Sequence, residues 1–208
     1  PQEGYLLSDE VYSFILHNTT TEKNLTYEFK NTQITGNIEI TKRNVQGELI
    51  PGTRFTLYKV KDALLGEAVE TQSTDAYGKI VFKDIPYGDY RILETGASEG
   101  YTLGSASADI SIRTEGKTET ASFTNEKIKG NLLIKKSDEN GKPLSGAEFE
   151  LYTDKAYIEG LRVPVTKGVT DENGILTFTD IAYGVYRLKE TKSPEGYLLN
   201  DEVRTITI

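Results

Sequence analysis

Hydrophobic and polar residues alternate over short stretches of the chain, and turn-forming residues separate these stretches. The segment "GNIEITK" at residues 36–42 illustrates the pattern, because side chains two residues apart in a strand share one face. Ile38, Ile40 and Lys42 therefore point to the same side. No segment of useful length has the 3.6-residue period of an amphipathic helix. The pattern predicts an all-β protein, with a lysine on an apolar face.

Two further predicted strands extend an apolar face with one polar residue. In "YRILE" the polar residue is Glu94, and in "ASFTN" it is Asn125. An unpaired charge among apolar side chains is costly, so a lysine in that position either finds a partner or loses its proton. We therefore expect Lys42, Glu94 and Asn125 to interact.

The same pattern returns later in the chain. The stretch "GNIEITKRNVQGELIPGTRFTLY" from Gly36 aligns without a gap with "GNLLIKKSDENGKPLSGAEFELY" from Gly130. The second copy places Lys136 and Glu190 on apolar faces in the same way. The N-terminal segment repeats only the end of the unit, with Asn31 in the position of the asparagine. Self-similarity of this kind indicates one structural unit used repeatedly.

The repeats predict the domain organisation. Residues 1–35 correspond to the last strands of a preceding repeat, residues 36–128 to one complete repeat, and residues 129–208 to a repeat without its last strand. About seven strands in a complete repeat predict an antiparallel, immunoglobulin-like β-sandwich. The Asp-x-x-Gly pattern, as in "DAYG" at 75–78, predicts tight hairpin turns. The segment 154–163 is compatible with a helical turn.

The composition excludes several classes of function. With 32 acidic and 24 basic residues, the net charge is -8, which argues against nucleic acid and anionic membranes as partners. No apolar run is long enough to span a bilayer. The chain has no cysteine and one histidine, His17, so disulfides, zinc sites and a Ser-His-Asp triad are not expected. We expect neither a metal nor a cofactor.

Three interpretations of the buried polar residues are open from the residues alone. The first is a Lys–Glu ion pair hydrogen-bonded to the asparagine, which often adds little net stability. The second places the three side chains at strand ends, in contact with solvent. The third is covalent: a desolvated lysine has a lowered pKa and becomes a nucleophile, while a protonated carboxylic acid polarises the asparagine carbonyl. The product is an amide between lysine Nζ and asparagine Cγ, and ammonia leaves.

Seven motifs of the chain together resemble those of a known family: "GNIEITK", "GNLLIKK", "PGTRFTLY", "SGAEFELY", "IPYGDYRILET", "IAYGVYRLKETKSPEGY" and "SFTN". The family that they resemble is the B-type repeats of Gram-positive collagen adhesins, also known as SpaA-type or prealbumin-like pilin domains. The resemblance implies a prealbumin-like sandwich with a cross-linking lysine on the first strand, an asparagine on the last and an assisting glutamate in the "ET" motif. In this sequence these residues are Lys42, Asn125 and Glu94.

The incomplete repeats contain unmatched members of the same set. The last repeat has Lys136 and Glu190 but no asparagine, whereas the N-terminal segment has Asn31 but neither partner. Head-to-tail strand exchange at the open sheet edge would bring Asn31 of one chain to Lys136 of another and give covalent polymers. The interpretation we favour from the sequence is an excerpt whose boundaries fall within repeats, and the absence of methionine agrees with it.

These features predict a structural role rather than an enzyme. We expect stalk or shaft domains of an adhesin or pilin on a Gram-positive cell surface, anchored to the cell wall through a region outside this chain, with neighbouring repeats as partners. The alternative is an adhesin module that binds a host matrix protein or glycan. A glycosidase with paired carboxylates is disfavoured, because no second catalytic acid is evident. Sequons at Asn18 and Asn24 are motifs that often occur by chance.

Overall fold

The structure is a computed structural model that describes residues 2–15 and 26–208. His17 and the sequons at Asn18 and Asn24 lie outside the described residues. Almost all regular structure in the described part is β-strand, which confirms the predicted all-β class. The chain divides into two compact units.

The first unit comprises the residues up to Ser98 together with Leu103–Asn125. Its described residues form the seven strands that the repeat predicted: β1 (Thr35–Asn44), β2 (Arg54–Lys61), β3 (Leu64–Ser73), β4 (Lys79–Pro86), β5 (Gly88–Gly96), β6 (Ser107–Ile112) and β7 (Thr118–Asn125). They make two sheets with the strand orders β4-β1-β7 and β3-β2-β5-β6. The architecture is a sandwich, because an apolar face on each sheet must be covered by the other.

The core of the first unit is built from the alternating apolar positions of both sheets. On β1 every second residue from Gly36 to Asn44 is buried, as the sequence pattern predicted. The buried apolar cluster consists of Ile38, Ile40, Phe55, Leu57, Ile80, Phe82, Ile85, Tyr90, Ile92, Ile112 and Phe123. Each large side chain in such a cluster contributes about 1.5–3 kcal/mol through burial. This packing fixes the strands whose ends carry the polar residues.

One strand pair departs from the predicted antiparallel pattern. β1 and β7 pair in parallel, with Lys42 opposite Phe123 and Asn44 opposite Asn125. A parallel pair needs a long crossover connection, and here strands β2 to β6 provide it. The first and last strands of the unit are therefore direct neighbours in one sheet.

The Asp-x-x-Gly turns form as predicted, and one of them positions the candidate site. The Asp75 carboxylate accepts hydrogen bonds from the amides of Tyr77 and Lys79. Gly78 has φ +65°, a left-handed conformation that glycine adopts without the steric cost of a Cβ. The carbonyl of Gly78 accepts the amide of Lys42 at 2.8 Å. The turn thus holds the backbone of the lysine in place.

The second unit comprises Glu99–Thr102 with Glu126–Ile208. Its elements are β8 (Lys129–Lys135), β9 (Glu148–Thr153), α1 (Asp154–Ile158), β10 (Thr166–Val169), β11 (Ile175–Ala182), β12 (Val185–Lys192) and β13 (Val203–Thr207). The helix confirms the helical turn predicted within 154–163. In the described ranges no helix has the length and apolar character needed to cross a membrane.

The sheets of the second unit have the orders β10-β9-β12-β13 and β11-β8. Strand β8 is the counterpart of β1, and β11 is the counterpart of β4. β1 has a neighbour on each side, whereas β8 pairs only with β11 among the described residues. The edge of β8 that corresponds to the β7 side of β1 is therefore open.

The N-terminal segment does not form the predicted strand within its described part. Tyr5 and Gln33 make an isolated antiparallel bridge. Residues 26–33 are exposed, and Asn31 is among them. A strand needs a partner sheet for its backbone hydrogen bonds and for its apolar face, and no sheet in the described residues lies beside this segment. Asn31 belongs to no strand in the described residues, and its correspondence to Asn125 stays a prediction.

Candidate functional site

Lys42, Glu94 and Asn125 meet in the core of the first unit. Lys42 Nζ lies 2.7 Å from Glu94 Oε2 and 2.5 Å from Asn125 Oδ1. Asn125 Nδ2 donates a hydrogen bond to Glu94 Oε1 at 2.5 Å. The glutamate therefore contacts the amine with one oxygen and the carboxamide nitrogen with the other.

The two sheets bring these three side chains together from opposite directions. Lys42 and Asn125 extend from the parallel neighbours β1 and β7. Glu94 extends from β5 in the facing sheet, where its backbone is opposite Phe55. The lysine is fully buried, and the other two are almost fully buried. The interpretation in which the three residues reach solvent at strand ends is therefore wrong.

Two aromatic rings lie close to the lysine amine. Lys42 Nζ lies 5.7 Å from the centroid of the Phe55 ring, and the Phe55 and Phe123 rings are 4.8 Å apart. Burial lowers the pKa of Lys42 from its ordinary value of 10.5, and the hydrogen bond and charge of Glu94 oppose this effect. The lowered pKa increases the fraction of neutral amine, which is the nucleophilic form.

The contact between the lysine nitrogen and the asparagine oxygen is close. An ordinary N–H···O hydrogen bond spans about 2.7–3.2 Å. The nitrogen and oxygen of one planar amide are about 2.3 Å apart, because its C–N and C=O bonds are about 1.33 and 1.23 Å long. The 2.5 Å between Lys42 Nζ and Asn125 Oδ1 lies between these values. The amine is thus within reach of the carboxamide carbon.

The role of the glutamate differs in one detail from the sequence-based expectation. A hydrogen bond from a protonated glutamate to the asparagine carbonyl was expected, but Glu94 Oε1 faces Asn125 Nδ2 instead. The reason is that Lys42 Nζ occupies the position beside the carbonyl oxygen. This arrangement places the carboxyl group between the attacking nitrogen and the leaving nitrogen, which suits proton transfer between them.

Gly104 is a part of the site that sequence reasoning missed. A Cβ at this position would lie 2.6 Å from Asn125 Oδ1 and 2.8 Å from Glu94 Oε2, so the backbone of Gly104 covers the polar groups directly. The aligned residue of the next repeat is Asn200, in "EGYLLN" against "EGYTLG". The only signal in the sequence was a glycine three residues after a Gly-Tyr pair.

The second unit contains the corresponding pair without an asparagine. Lys136 Nζ lies 3.0 Å from Glu190 Oε2, and the Lys136 side chain is 18% exposed, against 0% for Lys42. Glu190 Oε1 is buried and has no hydrogen-bond partner among residues 2–15 and 26–208. Its counterpart in the first unit, Glu94 Oε1, accepts the amide of the asparagine. The second site therefore lacks the donor that completes the first.

The described residues contain no cluster of three or more His, Cys, Asp or Glu side chains that is arranged to hold a metal ion.

A seven-stranded sandwich with parallel first and last strands defines the first unit as a prealbumin-like domain, and the second unit repeats most of it. The chain belongs to the family of SpaA prealbumin-like fold domains, whose model matches residues 36–127 and 130–208. This confirms the resemblance drawn from the sequence motifs.

Solved structures include similar proteins. The Bacillus anthracis TIE protein is 33% identical over 99% of this chain with a TM-score of 0.76, and this chain spans 37% of the length of that protein. The C-terminal fragment of the pilus adhesin SpaC from Lactobacillus rhamnosus GG is 16% identical, with 84% of this chain and 81% of that fragment covered and a TM-score of 0.52. The latter match concerns the fold alone. No curated protein sequence matches this chain significantly.

Proposed function

We propose that this chain is a load-bearing segment of a bacterial cell-surface protein, in which folding joins Lys42 to Asn125 through an amide bond. The observation that carries the proposal is the buried contact of amine, carboxyl and carboxamide, with Lys42 Nζ 2.5 Å from Asn125 Oδ1. Burial of an ion pair alone would often bring little net stability. Amide formation would account for the burial of these three groups in contact with one another.

The proposed reaction needs no external reactant. Neutral Lys42 Nζ attacks Asn125 Cγ, the Nζ–Cγ bond forms, and the Cγ–Nδ2 bond breaks. One proton moves from Nζ through the Glu94 carboxyl group to Nδ2, so ammonia leaves and the carboxyl group is regenerated. Folding holds the reacting groups in contact, which supplies the acceleration that proximity gives to intramolecular reactions. The first unit would react once and without an external substrate, so the proposed reaction is not enzymatic turnover.

The position of the bond suits a protein under tension. Lys42 and Asn125 lie on the first and last strands of the unit and are 83 residues apart in sequence. A force that pulls on the two ends of the unit would pass through the covalent link, and the strands between them would not be extended. Forced unfolding is governed by the unfolding rate, which the link reduces. The chain has no disulfide that could serve this purpose.

This role places the protein outside the cell, on the surface of a Gram-positive bacterium, with cell-wall anchoring through a region beyond this chain. Membership of the SpaA family supports this location. Neighbouring repeats of the same protein are the proposed partners. Recognition of a host matrix protein or glycan is the alternative function, and a solid-phase binding screen of the folded protein distinguishes the two.

Intact-mass measurement tests the proposed bond. We expect the purified, denatured chain to be lighter than its sequence mass by one ammonia, with a cross-linked peptide containing Lys42 and Asn125 after proteolysis. A fully folded chain at its full sequence mass would overturn the proposal.

The second unit supports a related proposal: Lys136 accepts an asparagine-bearing strand at the open edge of β8. The unpaired, buried Glu190 Oε1 supports it, because the asparagine nitrogen fills this position in the first unit. A synthetic peptide of residues 113–128, which contains β7, should add to the chain with loss of ammonia. Lys136→Arg should remove the adduct, and an unmodified chain after long incubation would contradict the proposal.

Strand exchange between chains would use Asn31 in place of the peptide. Denaturing gel electrophoresis tests this case, because head-to-tail exchange gives a ladder of covalent polymers. Asn31→Ala should abolish such a ladder. A single monomeric band from the unmodified chain at high concentration would exclude it.

A further inference from the structure

The sequence Glu-Gly-Tyr occurs three times, at equivalent places in the three repeats, and we refer to each occurrence as an EGY segment. The segments are Glu3–Tyr5, Glu99–Tyr101 and Glu195–Tyr197. Their glycines share a left-handed backbone, with φ values of +87°, +80° and +86°. The proposed cross-link uses none of these residues. Their surroundings differ in a way that assigns them another role.

The first EGY segment holds a tyrosine of the first unit. The ring of Tyr87 lies against Gly4, where an added Cβ would come within 2.9 Å of the ring atom Cδ1. The Tyr87 hydroxyl donates a short hydrogen bond to Glu3 Oε1, which raises the pKa of Tyr87. The amide of Tyr87 donates to the carbonyl of Ile34, and the amide of Ile34 donates to the carbonyl of Gly4, both at 2.8 Å.

The second EGY segment makes the same set of contacts within the second unit. An added Cβ on Gly100 would lie 2.6 Å from Cδ1 of Tyr183. The Tyr183 hydroxyl donates to Glu99 Oε1 at 2.5 Å. The amide of Tyr183 donates to Ile128, whose amide donates to Gly100. In both cases the glutamate and the tyrosine are 84 residues apart in sequence.

The third EGY segment has a glycine with the same φ, but no aromatic ring in the described residues lies on that glycine. Gly4 and Gly100 are buried, whereas Gly196 is exposed and an added Cβ there would meet no atom within 4 Å. Glu195 is exposed, and the Leu198 side chain beside the segment is 94% exposed. Gly196, with φ +86°, therefore already has the backbone conformation that contacts a tyrosine ring in the other two copies, and a glutamate precedes it in the same way.

We propose that Glu195–Tyr197 is a docking site for the tyrosine of a Tyr-Gly turn in a further repeat of this type. The aromatic ring would lie on Gly196, and its hydroxyl would donate to the Glu195 carboxylate. Glycine is required because any side chain would occupy the space of the ring, and hydrogen bonds to a charged acceptor are among the stronger ones. The inference extends the proposed function, since it assigns how successive repeats are joined without a covalent bond.

An extended chain tests the proposal. Ile112 pairs with Gly88, the glycine of the first Tyr-Gly turn, and Ile208 pairs with Gly184, the glycine of the second. Ile208 therefore corresponds to Ile112. A second copy of residues 113–208 added after Ile208 therefore continues the repeat, and its copy of Tyr183 follows Glu195 by 84 positions, as in the two observed pairs.

The readout is amide hydrogen exchange of the third EGY segment and of the added residue equivalent to Ile128, whose amide would donate to the Gly196 carbonyl. We expect exchange to be about tenfold slower in the extended chain, because one hydrogen bond to a charged group and the packing of the ring would oppose local opening. Gly196→Ala should remove the protection. Gly160→Ala is the matched control, because Gly160 also has positive φ and open surroundings. Unchanged exchange in the extended chain would overturn the proposal.

The unextended chain provides a second measurement that does not depend on the folding of the added repeat. The segment 99–102 should exchange more slowly than the segment 195–198, and Tyr183→Phe or Gly100→Ala should reduce this difference. Equal exchange in the two segments would also overturn the proposal. The mass of each chain reports amide formation separately, so a failure of the cross-link is distinguished from a failure of docking.

Discussion

Replacing Glu94 by glutamine removes the proton carrier of the candidate site and keeps its size. In the proposed reaction the carboxyl group transfers a proton from Lys42 Nζ to Asn125 Nδ2, and it contacts both nitrogens at 2.7 and 2.5 Å. A carboxamide cannot perform this transfer. We therefore expect Glu94→Gln to fold with its lysine and asparagine unjoined, so the chain keeps its full sequence mass.

The loss of the bond should lower the stability of the first unit considerably. The bond closes a loop with a sequence separation of 83 residues. On the chain-entropy model, a cross-link over such a loop contributes about 4.5 kcal/mol to the free energy of unfolding at 25 °C. For a domain of this size, that corresponds to a midpoint lower by about 20–35 °C. Lys42, without its carboxylate partner, has to lose its proton on folding, which adds to the loss.

The assay combines intact mass with thermal unfolding of the same samples. Glu190→Gln is the matched control, because Glu190 pairs with Lys136 and its Oε1 has no hydrogen-bond partner in the described residues. It should leave the ammonia loss and the unfolding of the first unit unchanged. Ammonia loss in Glu94→Gln equal to that of the unmodified chain would refute the assigned role of the glutamate. Equal unfolding midpoints despite different masses would refute the expected stabilisation by the bond.

Two further predictions concern access to the site and its proton balance. Gly104→Ala should slow amide formation or prevent it, because the added methyl group would meet Asn125 Oδ1 and Glu94 Oε2. Time-resolved mass spectrometry after refolding measures the rate of ammonia loss. Gly130→Ala should react normally, because its added methyl group meets only a side-chain methyl group at 3.0 Å. In Asn125→Ala, Lys42 stays an amine whose pKa in the folded protein is below its ordinary 10.5, so the unfolded chain binds more protons between these two values. The free energy of unfolding should then rise with pH through that window, relative to the same chain with Lys42→Met, and a flat difference would contradict the lowered pKa.

Most local structure could be predicted from the sequence, because it depends on neighbours along the chain. Strict alternation placed Ile38, Ile40 and Lys42 on one buried face, and the structure buries all three. The Asp-x-x-Gly turns formed because the aspartate accepts nearby amides and the glycine adopts positive φ. The N-terminal strand around Asn31 was not found in the described residues, since alternation alone does not provide a partner sheet.

The amino-acid sequence by itself determined the all-β class, the repeats and the presence of an amine, a carboxyl and a carboxamide on core faces. Only the tertiary structure decided that β1 and β7 are parallel neighbours, that Glu94 faces the leaving nitrogen and that Gly104 covers the site. The physical reason is that a period of two fixes which face a residue occupies, but contacts between different strands depend on how the sheets pack. Glu94 and Asn125 are 31 positions apart, and Lys42 and Asn125 are 83 positions apart. The contacts between tyrosines and the EGY segments also depend on tertiary structure, since no local sequence pattern relates Glu99 to Tyr183.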